Sequence, residues 1–157
     1  MLEAAGLRAY EISNHARQGA ECRHNLGVWR GGDYIGIGPG AHGRLATAPG
    51  TLALVQLRRP EAWLAAVADE GHATERRELL SPAARIEELV MTGLRLACGI
   101  ERSHMEPLLG TALEAAFDGE RLERLIDGGF VVLDRAGLRA TQAGRARLDA
   151  VLALLLA

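Results

Sequence analysis

The chain has 157 residues, 48% of them hydrophobic, with 18 arginines, no lysine and a net charge of −2. That length suits one ordinary domain or two small ones, and the apolar fraction excludes an intrinsically disordered chain. Charge is spread evenly over the two halves, so no basic patch or tail offers itself to phosphates. Two cysteines far apart in sequence, Cys22 and Cys98, make neither a disulfide framework nor a metal knuckle, and a reducing cytoplasm is the expected setting. The opening residues lack the basic and apolar regions of a secretory signal, and the closing "VLALLLA" is too short to span a bilayer.

In chain order, "LEAAGLRAYEI" reads as the end of a helix that includes Met1, a stop at Gly6, and a strand from Arg8 to Ile12. A helix-to-strand joint belongs to α/β architecture, and a chain opening there reads as the continuation of something larger. Residues 13–33 are expected to be loop, and Tyr34 to Ile37 a short strand entering a glycine-rich turn. A second extended run, "LALVQL", precedes a helix from Pro60 stopped by Gly71, and residues 70–78 read as a polar connector. The domain boundary is placed after residue 78.

From Ser81 the pattern becomes helical. Ser81 caps a helix whose apolar stripe is Ile86, Leu89, Val90, Leu94 and Ala97. "SHME" and "TALE" match capping boxes, which start a short helix at Ser103 and a long one running from Thr111 to Asp127. "FVVL" and "LRA" form a hairpin, and Thr141 caps a last helix. This order of helices, hairpin and helix is that of a winged-helix domain. Its candidate recognition helix carries Glu114, Asp118, Glu120, Glu123 and Asp127 against Arg121 and Arg124, a net of −3 that repels phosphates. A nucleic-acid-binding regulator is therefore the least favoured function.

The segment from Cys22 to Gly43, "CRHNLGVWRGGDYIGIGPGAHG", concentrates the chemistry. "GPGAHG" satisfies G-x-G-x-x-G, but Pro49-Gly50 would end the helix that a dinucleotide site needs within two turns. Its glycines serve a close backbone approach or a tight turn. Cys22, His24 and His42 could ligate zinc or iron, but the spacing is weak for a metal site. His24, Asn25 and Trp29 could meet a flat aromatic ligand, since imidazole ligates haem iron and indole stacks on a macrocycle.

"YEISN", "C-R-H-N-x-x-x-W" and "Y-x-G-I-G-P-G-A-H", taken together from Tyr10 to His42, resemble the oxygen-independent coproporphyrinogen III oxidase-like radical S-adenosylmethionine proteins, specifically their haem-chaperone branch. The resemblance runs through "EELVMTGLRLACGI" to the final "LRATQAGRARLDAVLALLL". It implies an α/β chain (α+β if isolated) in which residues 1–78 are the closing part of a radical S-adenosylmethionine barrel and 79–157 a winged-helix-like domain. It implies haem as a bound group, with His24, Asn25 and Trp29 as its contacts and a haem-acceptor protein as partner. Gly36, Ile37, Gly38, Gly40, Ala41 and His42 become a loop on the cofactor and substrate side. S-adenosylmethionine and a [4Fe–4S] cluster are implied for the whole parent, yet Cys22 and Cys98 cannot supply the three thiolates of a CxxxCxxC motif. The chain alone is expected to be catalytically inactive, and exposed strand edges are expected to favour self-association. The alternative is a piece of a coproporphyrinogen III dehydrogenase of porphyrin biosynthesis. Val28 stands where the branch more often has tyrosine, and Gln56 where the family more often has asparagine.

Overall fold

A computed structural model describes residues 2–157; Met1, expected within the opening helix, lies outside them. The chain opens with a single 3-10 turn, Glu3–Ala5, stopped by Gly6 in the left-handed region. Strand β1, Arg8–Ala9, pairs antiparallel with β2, His15–Ala16. The strand expected to reach Ile12 ends early because the backbone turns at Glu11. The expected loop over 13–33 contains a helix, α1, Arg23–Trp29. Next come β3 (His42–Thr47), β4 (Gly50–Gln56), α2 (Pro60–Glu70) and β5 (Thr74–Leu79). Of the strand expected over Tyr34 to Ile37, only Tyr34 pairs, in a bridge to Arg44. The polar connector expected over 70–78 is in its second half strand β5, hydrogen-bonded to β4 and charged along its exposed length.

Helix α3, Pro82–Gly93, is capped by the Ser81 hydroxyl, which accepts from the Ala84 N–H at 3.1 Å. It stops one residue before Leu94, which leaves Ala97 exposed rather than on a buried helical stripe. Strand β6, Ile100–Glu101, leads into α4, Arg102–Leu109. Glu101 precedes that helix without a side-chain cap, so Ser103 lies inside it and not at its start. The long helix expected from Thr111 is instead a 3-10 turn, Leu113–Ala116, a break at Phe117, and α5, Gly119–Asp127. The break lies at Phe117, where the backbone is extended, and Asp118 then caps α5 by accepting from the Arg121 N–H at 3.0 Å; ahead of it the Glu106 carboxylate takes the Leu113 N–H at 3.1 Å. Asp118→Ala should therefore lower stability by about 1 kcal/mol in urea denaturation.

Strands β7, Val131–Leu133, and β8, Gly137–Ala140, form the expected hairpin, and β6 joins them in the order β6-β8-β7. Thr141 accepts from the Gly144 N–H at 3.1 Å and caps α6, Gln142–Arg145, which a break at Arg147 separates from α7, Leu148–Leu155.

The described strands pair antiparallel throughout. Contacts divide the chain into two compact units: the residues up to Gly31 with Ile86–Ala157, and Gly32–Arg85. The expected cut after residue 78 differs from this grouping, because the N-terminal segment pairs with the backbone that follows α3. Glu11 bridges Leu96, and the Ala97 N–H donates to the Tyr10 carbonyl at 2.9 Å.

In the first unit the core is formed by α3, α4, α5, α7 and the winged sheet, with Val90, Leu94, Leu113 and Leu138 wholly buried. Mixed helix and antiparallel sheet in this order is a winged-helix-like arrangement. In the second unit the sheet runs β3-β4-β5, and its buried apolar side chains are Ala53, Val55 and Ala73. Gln56 stitches that unit together: it accepts from the Trp63 indole at 3.2 Å and donates to Thr74 at 3.2 Å. Among the described residues no helix is long and apolar enough to cross a membrane.

Candidate functional site

The site is built on α1. This helix has fewer than two full turns and begins at Cys22 without a side-chain cap. At its end the Gly31 N–H donates back to the Val28 carbonyl at 2.9 Å, with Gly31 at φ 73. Asn25 and Trp29 are four residues apart, so they share a face. His24 precedes Trp29 by five residues and is turned about 140° away at 100° per residue. The exposures agree: Asn25 and Trp29 are half-buried, and the His24 imidazole is exposed. The three predicted residues thus share a helix but not a face.

The inward face meets a polar assembly that sequence reasoning left unassigned. Glu11 is wholly buried. One of its carboxylate oxygens accepts from the Ser13 N–H at 3.0 Å, the Ser13 hydroxyl at 3.1 Å and Asn14 Nδ2 at 2.6 Å. The other accepts from Arg95 Nε at 2.9 Å and Nη2 at 2.6 Å. Burial alone would push this carboxyl up; the five donors outweigh it and hold it at about 2. The Arg95 guanidinium in turn lies over the Trp29 ring, 4.6 Å from its centroid. Asn25 donates a long 3.4 Å bond to the Tyr10 hydroxyl. The Trp29 indole N–H is buried and makes no hydrogen bond.

Beside Trp29 lies a cavity of about 310 Å³, floored by Leu89, Leu96, Ile100 and Met105. At its rim Arg30 pairs with Glu101 at 3.5 Å, and His104 Nε2 meets the Arg30 carbonyl at 2.6 Å. Its volume is at the small end for ligand pockets.

The glycine-rich loop belongs to the other unit. Its glycines admit the chain itself. A Cβ on Gly36 would stand 2.1 Å from the His42 carbonyl oxygen, and one on Gly43 would stand 3.2 Å from both Gly36 N and the Tyr34 carbonyl. Tyr34 and Arg44 exchange backbone hydrogen bonds at 2.8 and 2.9 Å across this contact. Gly38 and Gly40 take positive φ, and the Ala41 carbonyl accepts from the Gln56 N–H at 2.9 Å. Ile37 is exposed, as is His42 at the start of β3.

Ligand chemistry can be tested against these placements. Among the described residues no three His, Cys, Asp or Glu side chains gather into a metal-holding group, and Cys22 and Cys98 are both exposed and unbridged. A [4Fe–4S] cluster therefore does not fit the residues of this chain. The exposed His24 imidazole is the group on α1 that could hold haem iron, while Arg95 occupies one face of the Trp29 ring.

A family profile described as HemN C-terminal domain matches residues 80–147. Radical S-adenosyl methionine domain-containing protein 1, mitochondrial, of Danio rerio is 38% identical over 162 residues, spanning 99% of this chain and 36% of that protein. Heme chaperone HemW of Mycobacterium tuberculosis is 36% identical over 157 residues, again with 99% and 36% covered. The chain belongs to the HemN-related family. The fold agrees: the solved structure titled "Coproporphyrinogen III oxidase (HemN) from Escherichia coli is a Radical SAM enzyme" superposes on 98% of this chain and 38% of its own, with a TM-score of 0.69 at 19% identity. This HemN-related chain spans little more than a third of these curated relatives. The HemN C-terminal match begins just before α3 and covers the winged sheet. Tyr10, Glu11, Asn25 and Trp29 precede that match in sequence, yet they pack into the same unit as its helices.

Proposed function

We propose that this chain contributes the haem-contacting element of a haem chaperone, with the His24 imidazole as the group that meets haem iron. The observation that carries the reading is the split of α1 into two faces. Asn25 and Trp29 anchor the helix inward, while His24, one residue before Asn25, stands exposed. An axial nitrogen on an open surface can take up a tetrapyrrole and give it up again, which a carrier needs and a buried resident site does not. Relatives named heme chaperone support the same reading.

In this reading haem is cargo and a haem-acceptor protein is its destination. The loop Gly36 to His42 is the side on which substrate and S-adenosylmethionine of the whole protein would lie, and the exposed Ile35 and Ile37 offer it an apolar contact. Cluster chemistry would need thiolates beyond the two in this chain. The setting is a reducing compartment, the cytoplasm in the simplest case.

Titrating haem into the 157-residue chain should produce a Soret band shifted from that of free haem. His24→Ala should abolish the shift while leaving the far-ultraviolet circular dichroism unchanged. A spectrum identical in the two proteins would overturn the assignment.

A further inference from the structure

We infer that Arg95 is a positioning residue for the α1 site: held by Glu11 on one side and laid over Trp29 on the other, it sets the orientation of the helix that presents His24.

The helix cannot orient itself. Seven residues without a side-chain cap fall well short of the length at which an isolated helix is stable, so its placement depends on tertiary contacts. Its last turn is held at Arg30 by Glu101 and His104, but along the helix itself the polar contacts are few. Asn25 holds the Tyr10 hydroxyl only at 3.4 Å, and a buried indole N–H, which ordinarily finds an acceptor, has none at Trp29. The directional contact left to the ring is the Arg95 guanidinium at 4.6 Å. Arg95 is itself fixed. Two of its nitrogens bind one oxygen of a carboxylate that is wholly buried and already committed to Ser13 and Asn14 through its other oxygen. Its backbone carbonyl accepts from Arg145 Nη1 at 3.3 Å, which ties the same residue to α6. The path therefore runs from the turn at Glu11, through a residue just after α3, to the indole at the end of α1. Lysine could keep the charge beside Glu11, but it has neither the planar face nor the second nitrogen to hold both partners.

The binding arm of the test rests on the haem reading; the fluorescence arm does not. In a Trp63→Phe background Trp29 is the remaining tryptophan. Arg95→Lys should raise acrylamide quenching of Trp29 and shift its emission with helical content unchanged, and it should weaken haem binding about tenfold. Glu11→Gln, which leaves Arg95 present but less firmly held, should move the same emission by a smaller amount. If Arg95→Lys does not fold, Glu11→Gln decides on the same readout. Unchanged Trp29 quenching in the folded variant overturns the inference even where wild type binds haem. A quenching change with no haem binding by wild type supports the positioning role and overturns the haem reading alone.

Discussion

Replacing Glu11 by alanine should cost about 3–5 kcal/mol of folding free energy, the usual range for removing one partner of a buried ion pair. The substitution strands donors rather than an anion: the Ser13 and Asn14 groups lose their acceptor, and Arg95 loses a partner that held two of its nitrogens. Arg95 is 32% exposed and can turn to water, which favours the lower end of that range. Urea denaturation at neutral pH, followed by Trp29 fluorescence in the Trp63→Phe background, measures the loss. A midpoint equal to wild type would refute it.

The same carboxylate predicts an acid limb. Its value in the folded chain, about 2, lies below its ordinary 4.5, so the fold favours the charged form. The stabilisation is complete above the ordinary value and is lost as the pH falls from about 4.5 toward 2. Wild type should lose stability over that window, and Glu11→Gln, having nothing to titrate at this position, should lose less. Parallel pH profiles for the two proteins would show that another group controls the limb.

The second large effect is expected at Gly36. Alanine there would place its Cβ 2.1 Å from the His42 carbonyl oxygen, a backbone atom that cannot swing aside as a side-chain tip can. The two chain passes would have to separate, breaking the paired hydrogen bonds between Tyr34 and Arg44, at a cost of about 3 kcal/mol or more. Hydrogen exchange resolves this locally: the Tyr34 and Arg44 amides should exchange faster in Gly36→Ala. Gly38→Ala is the contrast. Its Cβ meets nothing within 4 Å, and the cost comes only from a backbone held at φ +113. Equal protection of the Tyr34 and Arg44 amides in wild type and Gly36→Ala would refute the close-approach account.

What could be read from the sequence follows physical lines. The capping signals of Ser81 and Thr141 are local, one side chain reaching three residues on, and both caps are present. The hairpin of β7 and β8 is equally local. Helix α1 escaped notice because it is short, holds Gly27 and the β-branched Val28, and lacks a polar cap. The long helix from Thr111 failed because the backbone is extended at Phe117 and Asp118 caps a fresh start at Gly119, a break that the apolar spacing does not mark. In the site, "YEISN" carries a readable signal: an acidic residue followed at two and three positions by Ser and Asn, donors suited to closing a turn on its carboxylate. Arg95 carried no such signal, since it joins Glu11 from 84 positions away. His24 and Trp29 could be named from residue type, but the opposite directions they take depend on the helix.

Strand β5 has a consequence for how the sheet meets other chains. The order β3-β4-β5 leaves two margins. On the β3 side, the Tyr34–Arg44 bridge already engages backbone groups that an intruding strand would need. On the β5 side, Glu75, Arg76, Arg77 and Glu78 line the margin, so a second copy docking there would have to strip water from four consecutive charges. One flank is latched and the other is defended by charge, which guards the sheet against seeding fibrils.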